Sequence, residues 1–286
     1  MIGIFDSGIG GLSVVRELLK RAPDASFVYL GDTARTPYGN KSPDTLKRYA
    51  SEDVKFLLDH GAETIIIACN SASSAAGDAL RESFLNVQIF DVIQPAVEEA
   101  IRVTKGRIGV IGTRATIASG AYERSIRKQP FVISHLSLEI FSTACPLFVP
   151  LVEEGWLKDA ETKRIVRRYL SPLRRERIDT LILGCTHYPL LAPLIQRYMG
   201  KRVRLIDSGA AVVSRTLEEL RSNTVHTNIP HDQNRPIGRF WSCGSGEEDN
   251  ELTAQSYYMT DVSKQSNKIA ESWLGRKVEF SLAKLG

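Results

Sequence analysis

The chain has 286 residues, 43% of them hydrophobic and 24% charged, with a formal net charge of +4. That is enough for one large domain or two medium ones around a sizeable core. The scattered Lys and Arg residues form no block suited to a nucleic-acid arm. The opening MIGIFDSGIGG lacks the charged and long apolar regions of a signal peptide, and no apolar run approaches a membrane span, so the expectation is a cytoplasmic protein with no membrane contact. Four cysteines, at 69, 145, 185 and 243, include no C-x-x-C pair. In a reducing compartment they read as free thiols, and their spacing argues against a zinc site.

In chain order, Ile2-Gly3-Ile4-Phe5 predicts a buried strand, and Leu12, Val15, Leu18 and Leu19 put a helix face after it. Phe27 to Leu30 predicts the next strand, followed by a loop with Thr33, Pro37, Tyr38 and Gly39. A helix is expected over about 43–60 and a strand over Thr64 to Ala68. Strands apolar on both faces, alternating with helices, predict parallel α/β structure. The strand Arg204 to Asp207 is read as returning the chain to the first unit. A helix follows over 208–222, then loops and edge structure over 223–256, and a final helix over about 262–274.

The chain repeats itself. Glu63-Thr64-Ile65-Ile66-Ile67-Ala68-Cys69 aligns with Asp179-Thr180-Leu181-Ile182-Leu183-Gly184-Cys185. Ile2 to Ser7 resembles Ile108 to Thr113, in the same order within each half. Two related α/β units follow, with Cys69 and Cys185 at the C-terminal ends of equivalent strands, where open α/β sheets bind ligands. A lone strand-end cysteine is most simply a small buried hydrophobe. A matched pair on opposite walls of one cleft suits proton transfer at a stereocentre, which needs a base on one face and an acid on the other. A thiol ionises near neutrality and serves either role. Asp6-Ser7-Gly8-Ile9-Gly10-Gly11 reads either as an anion-accepting turn or as a plain turn in which Asp6 or Ser7 caps a helix; Ser13 spoils a dinucleotide fingerprint. Cys145 reads as core, and His60 as a helix end. The basic residues between Lys163 and Arg177 read as a solvated helix face.

These stretches, with Gly31 to Gly39, Ala68 to Ser73, Ala144 to Gly155 and Leu183 to Pro189, resemble the bacterial glutamate racemases. The resemblance runs from residue 2 to about 222 and more loosely through the last helix. It implies an α/β fold of two pseudo-symmetric doubly wound domains whose central, mostly parallel sheets face across a cleft. Residues 1–97 plus 207–286 would form one domain and 98–206 the other. It further implies cofactor-free interconversion of L- and D-glutamate for peptidoglycan synthesis, with glutamate as the small-molecule substrate and a homodimer as the expected assembly. Cys69 and Cys185 match the catalytic thiols, and Asp6, His187 and Glu153 the groups that assist them, although Glu154 adjoins Glu153. Asp6, Ser7, Pro37, Tyr38, Gly39, Asn70, Ser71, Thr186 and His187 match the substrate-binding positions.

Ser71 stands where the family usually has Thr, and the stretch 243–258 is longer than usual. Rival readings are a racemase of aspartate or a hydantoin, a related decarboxylase, a pyridoxal-phosphate enzyme, and a binding protein that kept the cleft without the reaction. A topoisomerase or nucleic-acid partner belongs with this last reading and is not indicated by any motif.

Overall fold

A computed structural model describes residues 1–129, 138–226 and 254–285. Its first strand, β1 (Ile2–Asp6), is buried along its whole length. It lies in a six-stranded sheet between β2 (Phe27–Gly31) and β3 (Thr64–Ile67), flanked by β4 (Gln88–Asp91) on one side and by β9 (Gln255–Met259) and β10 (Ser281–Leu282) on the other. A second sheet contains β5 (Arg107–Gly112), β6 (Glu139–Ala144), β7 (Thr180–Gly184) and β8 (Arg204–Asp207), in the order β6-β5-β7-β8. Every pairing in both sheets is parallel. Parallel strands need crossovers, and helices supply them here.

The order β2-β1-β3-β4 in the first sheet repeats as β6-β5-β7-β8 in the second. The register repeats too: Ile2 pairs with Thr64, and Ile108 pairs with Thr180. The two alignments read from the sequence therefore describe one structural equivalence. In each sheet the chain goes from the central strand to one neighbour and then crosses to the other side, which creates a switch point beside the central strand. Clefts open at such points, outside the strand ends.

Local chemistry accounts for the helices that matter to the site. In α1 (Leu12–Arg21), Leu12, Val14, Val15 and Leu18 are buried, and Lys20 and Arg21 complement the helix dipole in the last turn. In α2 (Pro43–Asp59), Pro43 occupies the first turn and the Ser42 side chain accepts a hydrogen bond from the Thr45 amide at 3.3 Å. The helix ends at His60, whose Nδ1 lies 2.7 Å from the Phe56 carbonyl. Helix α3 (Asn70–Ser83) starts directly after Cys69, and α4 (Ile93–Val103) crosses to the second sheet. There α5 (Arg114–Ala118), capped by Thr113, is followed by α6 (Ala121–Arg127). The second half adds α7 (Phe148–Glu153), α8 (Ala160–Arg175) and α9 (Ala192–Met199). Helices α10 (Ser208–His226) and α11 (Lys264–Leu274) complete the described elements.

Both sheets carry helices on each face. Phe5, Leu30, Ile65 and Ile67 pack against Leu46, Val54 and Leu57 of α2 and Ala72, Ala76 and Leu80 of α3. On the other face, Ile4, Tyr29 and Ile66 belong to a cluster that includes Leu18 of α1, Val212 of α10, and Leu181 and Leu183 of β7. That continuous cluster joins the two domains. A fully buried Leu or Ile contributes about 1.5–3 kcal/mol through apolar burial.

Three expectations change. Arg204–Asp207 is the last strand of the second sheet, and α10 rather than the strand leads back toward α1, because the apolar Leu205 and Ile206 pair with Leu181 and Ile182. The polar tract expected to be loops and edge structure through 256 already contains β9 from Gln255, and β9 lies between β2 and β10 rather than at an edge. Helix α10 also runs on to His226, past the expected end at 222. Residues 227–253, with Cys243 and most of the longer stretch 243–258, lie outside the described residues. Cys145 is fully buried, and the basic cluster on and after α8 is exposed. No helix among the described residues is long and apolar enough to cross a membrane.

Candidate active site

Strands β1, β3 and β7 deliver Asp6, Cys69 and Cys185 to the same edge of their sheets. The turn after Asp6 is shaped by its own carboxylate: Oδ2 accepts from the Gly8 amide at 3.1 Å, and the Tyr29 hydroxyl donates to the Gly8 carbonyl at 2.7 Å. Neither Asp6 nor Ser7 caps α1, whose N-terminal cap is Gly11 and receives no side-chain bond. Asp6 is buried, and its Oδ1 has no hydrogen-bond partner among the described residues. Burial raises its carboxyl above the usual range, while His187 and the Gly11, Gly8 and Ser7 amides oppose that.

Cys69 is buried at the start of α3, with its thiol donating to Ser7 Oγ at 3.4 Å. Burial, with Asp6 adding to it, pushes this thiol up to about 12 against the opposing bond from Ser7. At neutral pH it holds its proton.

Cys185 has a different neighbour. His187 Nδ1 lies 3.8 Å from its Sγ, and Nε2 lies 3.0 Å from Glu153 Oε1. Burial works against a charged imidazole, but hydrogen bonds to Cys185 and Glu153 outweigh it and push His187 up to about 10. An imidazolium therefore stands beside the second sulfur at neutral pH. Glu153, at the end of α7, makes this contact; Glu154 is the exposed residue that ends the helix. Trp273 of α11 packs edge-on against the His187 ring, with centroids 5.7 Å apart.

The turn after Asp6 meets the Cys185 loop. Ser13 Oγ donates to the Thr186 carbonyl at 2.8 Å, and a Cβ on Gly10 would collide with the Thr186 hydroxyl and the His187 ring. Only glycine lets the turn after Asp6 come this close to the Cys185 loop. Ser71 Oγ lies 2.9 Å from Thr113 Oγ1, so the Ser in place of Thr keeps a hydroxyl contact across the domains. Asn70, Ser71, Thr186 and His187 are all buried around this junction.

The loop holding Pro37, Tyr38 and Gly39 approaches from the side. A Cβ on Gly39 would lie 3.1 Å from Thr113 Cβ, which brings this loop to the same junction, and Pro37 is exposed. The Tyr38 side chain, however, turns into the first domain. Its hydroxyl donates to Asp32 Oδ2 at 2.5 Å and lies 3.0 Å from Asp53 Oδ2, beside Arg35. It anchors the loop and leaves main chain to face the junction. Thr33 bonds Asp261.

Sequence reasoning missed Thr113, Ser13 and Trp273. The repeat held a signal for Thr113, which aligns with Ser7; the others come from helix positions with no local pattern. A cavity of about 470 Å³, lined by Asp78, Arg81, Asp91, Gln94 and Arg124 among others, lies away from both thiols. No cluster among the described residues could hold a metal ion.

The family described as Asp/Glu/Hydantoin racemase matches residues 7–216. The chain belongs to this family. Among its relatives, a glutamate racemase from Geobacter metallireducens is 45% identical over 221 residues, covering 77% of this chain and 80% of that one. The structure of a glutamate racemase isoform from Bacillus anthracis superposes with a TM-score of 0.85 at 33% identity, covering 100% of this chain and 97% of that one. A Francisella tularensis glutamate racemase in complex with D-glutamate gives 0.82 at 31% identity, covering 99% and 97%. Family and fold agree with the doubled parallel sheets described above.

Proposed function

We propose that the protein is a glutamate racemase in which Cys69 and Cys185 exchange a proton with opposite faces of the substrate α-carbon. One observation carries this reading: the two thiols end equivalent strands of two matched sheets, and the Asp6 turn reaches both loops. The relatives that align over most of the chain are glutamate racemases.

The asymmetry of the two thiols assigns starting roles. His187, 3.8 Å from the Cys185 sulfur, suits that side to take the proton, and the raised Cys69 thiol suits the other side as the acid. The Cys185 thiolate removes the α-hydrogen as a proton, and the C–H electron pair passes into the substrate's α-carboxylate group. Cys69 then gives its proton to the opposite face. One proton is taken and one delivered, so the thiols end in exchanged states and the reverse reaction starts from there. Amides at the start of α3 and after Cys185 suit the substrate carboxylates. The unpartnered Asp6 Oδ1 suits its ammonium.

We read the enzyme as cytoplasmic and dimeric, with domains 1–97 plus 207–286 and 98–206, needing no cofactor and supplying D-glutamate for peptidoglycan. The test is racemisation of L- and D-glutamate in deuterium oxide, followed by chiral chromatography and mass spectrometry. Each enantiomer should give product carrying one solvent deuterium at the α-position, and Cys69→Ala and Cys185→Ala should each abolish inversion. Full activity in either variant sinks the two-thiol mechanism, and turnover of aspartate but not glutamate reassigns the substrate.

A further inference from the structure

Asn70 follows Cys69 directly, and both ends of its side-chain amide are bonded within the protein. Its Oδ1 accepts from the Tyr122 hydroxyl at 2.6 Å, and its Nδ2 donates to Ser208 Oγ at 3.4 Å. Ser208 Oγ in turn donates to the Leu183 carbonyl at 3.0 Å, two residues before Cys185. Asn70, Tyr122 and Ser208 are all at most 2% exposed, so water does not compete for these bonds.

Tyr122 touches both thiol loops. While its hydroxyl holds Asn70, its ring lies against the residue before Cys185: a Cβ on Gly184 would sit 3.0 Å from Tyr122 Cε2. The four residues come from four elements. Asn70 opens α3 in the first domain, Tyr122 lies on α6 and Leu183 on β7 in the second, and Ser208 opens α10 between them. Burial raises the Tyr122 phenol, with a bond to Ser208 opposing, so the phenol stays a donor.

We infer that Tyr122, braced by Ser208, is the positioning residue that sets the separation of Cys69 and Cys185 across the substrate. The phenol ring is a rigid spacer between Gly184 and Asn70, each covalently next to one thiol. The inference rests on the two-thiol reading above. Proton transfer from two sides demands that both sulfurs be aligned with one α-carbon, and a displacement near 1 Å costs up to about a hundredfold in rate. A misaligned pair still lets one thiol remove the proton. The far thiol then delivers late, the near thiol has time to exchange the abstracted proton with solvent, and the intermediate takes a solvent proton back on the face it came from.

The experiment compares wild type, Tyr122→Phe and Ser208→Ala. The measurements are kcat, KM, melting temperature and the α-deuterium in recovered substrate relative to inverted product in deuterium oxide. In both variants kcat should fall about tenfold or more, with KM within about threefold of wild type. The ratio of deuterium in recovered substrate to that in product should rise at least about threefold. Unchanged kcat and ratio, or a change in KM alone, overturns the inference. If Tyr122→Phe fails to fold, Ser208→Ala decides by the same criteria. Wild-type turnover and the Cys69→Ala and Cys185→Ala variants test the two-thiol reading separately, so the two failures are distinguishable.

Discussion

At the residue scale, two cysteines of the same type sit in opposite electrostatic settings. Burial and Asp6 keep a proton on Cys69, while His187 sets a cation against Cys185. Thiolate is the species that alkylates. Limited treatment of the substrate-free enzyme with iodoacetamide should therefore label Cys185 before Cys69 in peptide mass mapping; the reverse order contradicts the assigned starting roles. Glu153 helps hold the His187 proton. Removing its charge in Glu153→Gln should move the alkaline limb of the kcat profile down by on the order of one pH unit, whereas Glu154→Gln should leave the limb in place. The resemblance put Glu153 in this role with Glu154 adjoining it, and Glu153 makes the contact with His187. Both glutamates lie at the end of a helix, and about 100° of rotation per residue decides which one faces the imidazole.

At the element scale, the turn between β1 and α1 does more than present Asp6. It closes against the Cys185 loop, and the closeness depends on one missing side chain. Gly10→Ala would drive a methyl into Thr186 and His187. The expected outcome is a loss of kcat of at least about tenfold with the fold retained, read from steady-state kinetics beside the far-ultraviolet circular dichroism spectrum. Wild-type kinetics would mean that the turn can back away without disturbing the histidine. The sequence showed a glycine-rich turn here, and local pattern could not distinguish approach to a ligand from approach to another loop. Tyr38 is a similar case. Its place in the motif was legible, but the side chain points to Asp32 and Asp53 rather than to the thiols. The direction of a loop side chain depends on packing partners distant in sequence.

At the scale of the whole molecule, burying these groups makes stability depend on pH in one direction. An unfolded thiol ionises near 8.5 and an unfolded imidazole near 6.5. Folded Cys69 keeps its proton to about 12 and folded His187 to about 10. Each folded value is raised, so the native state holds protons that the unfolded chain gives up. The stabilisation is complete below the unfolded value and is lost as pH rises toward the folded one. The melting temperature should fall from neutral pH toward pH 10 and above, and the fall should be shallower in Cys69→Ala. Equal slopes in the two proteins would show that this thiol is not held protonated.

Much of the architecture was written in local pattern. Apolar runs separated by amphipathic stretches determined a parallel α/β chain, and the doubled Thr-aliphatic-Cys segments determined two equivalent units with a thiol at the same strand end in each. That was legible because strand burial and chain order are properties of contiguous sequence. Tertiary structure alone decided that Gln255–Met259 is a strand and that it pairs between β2 and β10. It also decided that Tyr122 stands between the two thiol loops. Each depends on contact between residues tens of positions apart, where no periodicity reaches and close packing in a shared interior determines which groups touch.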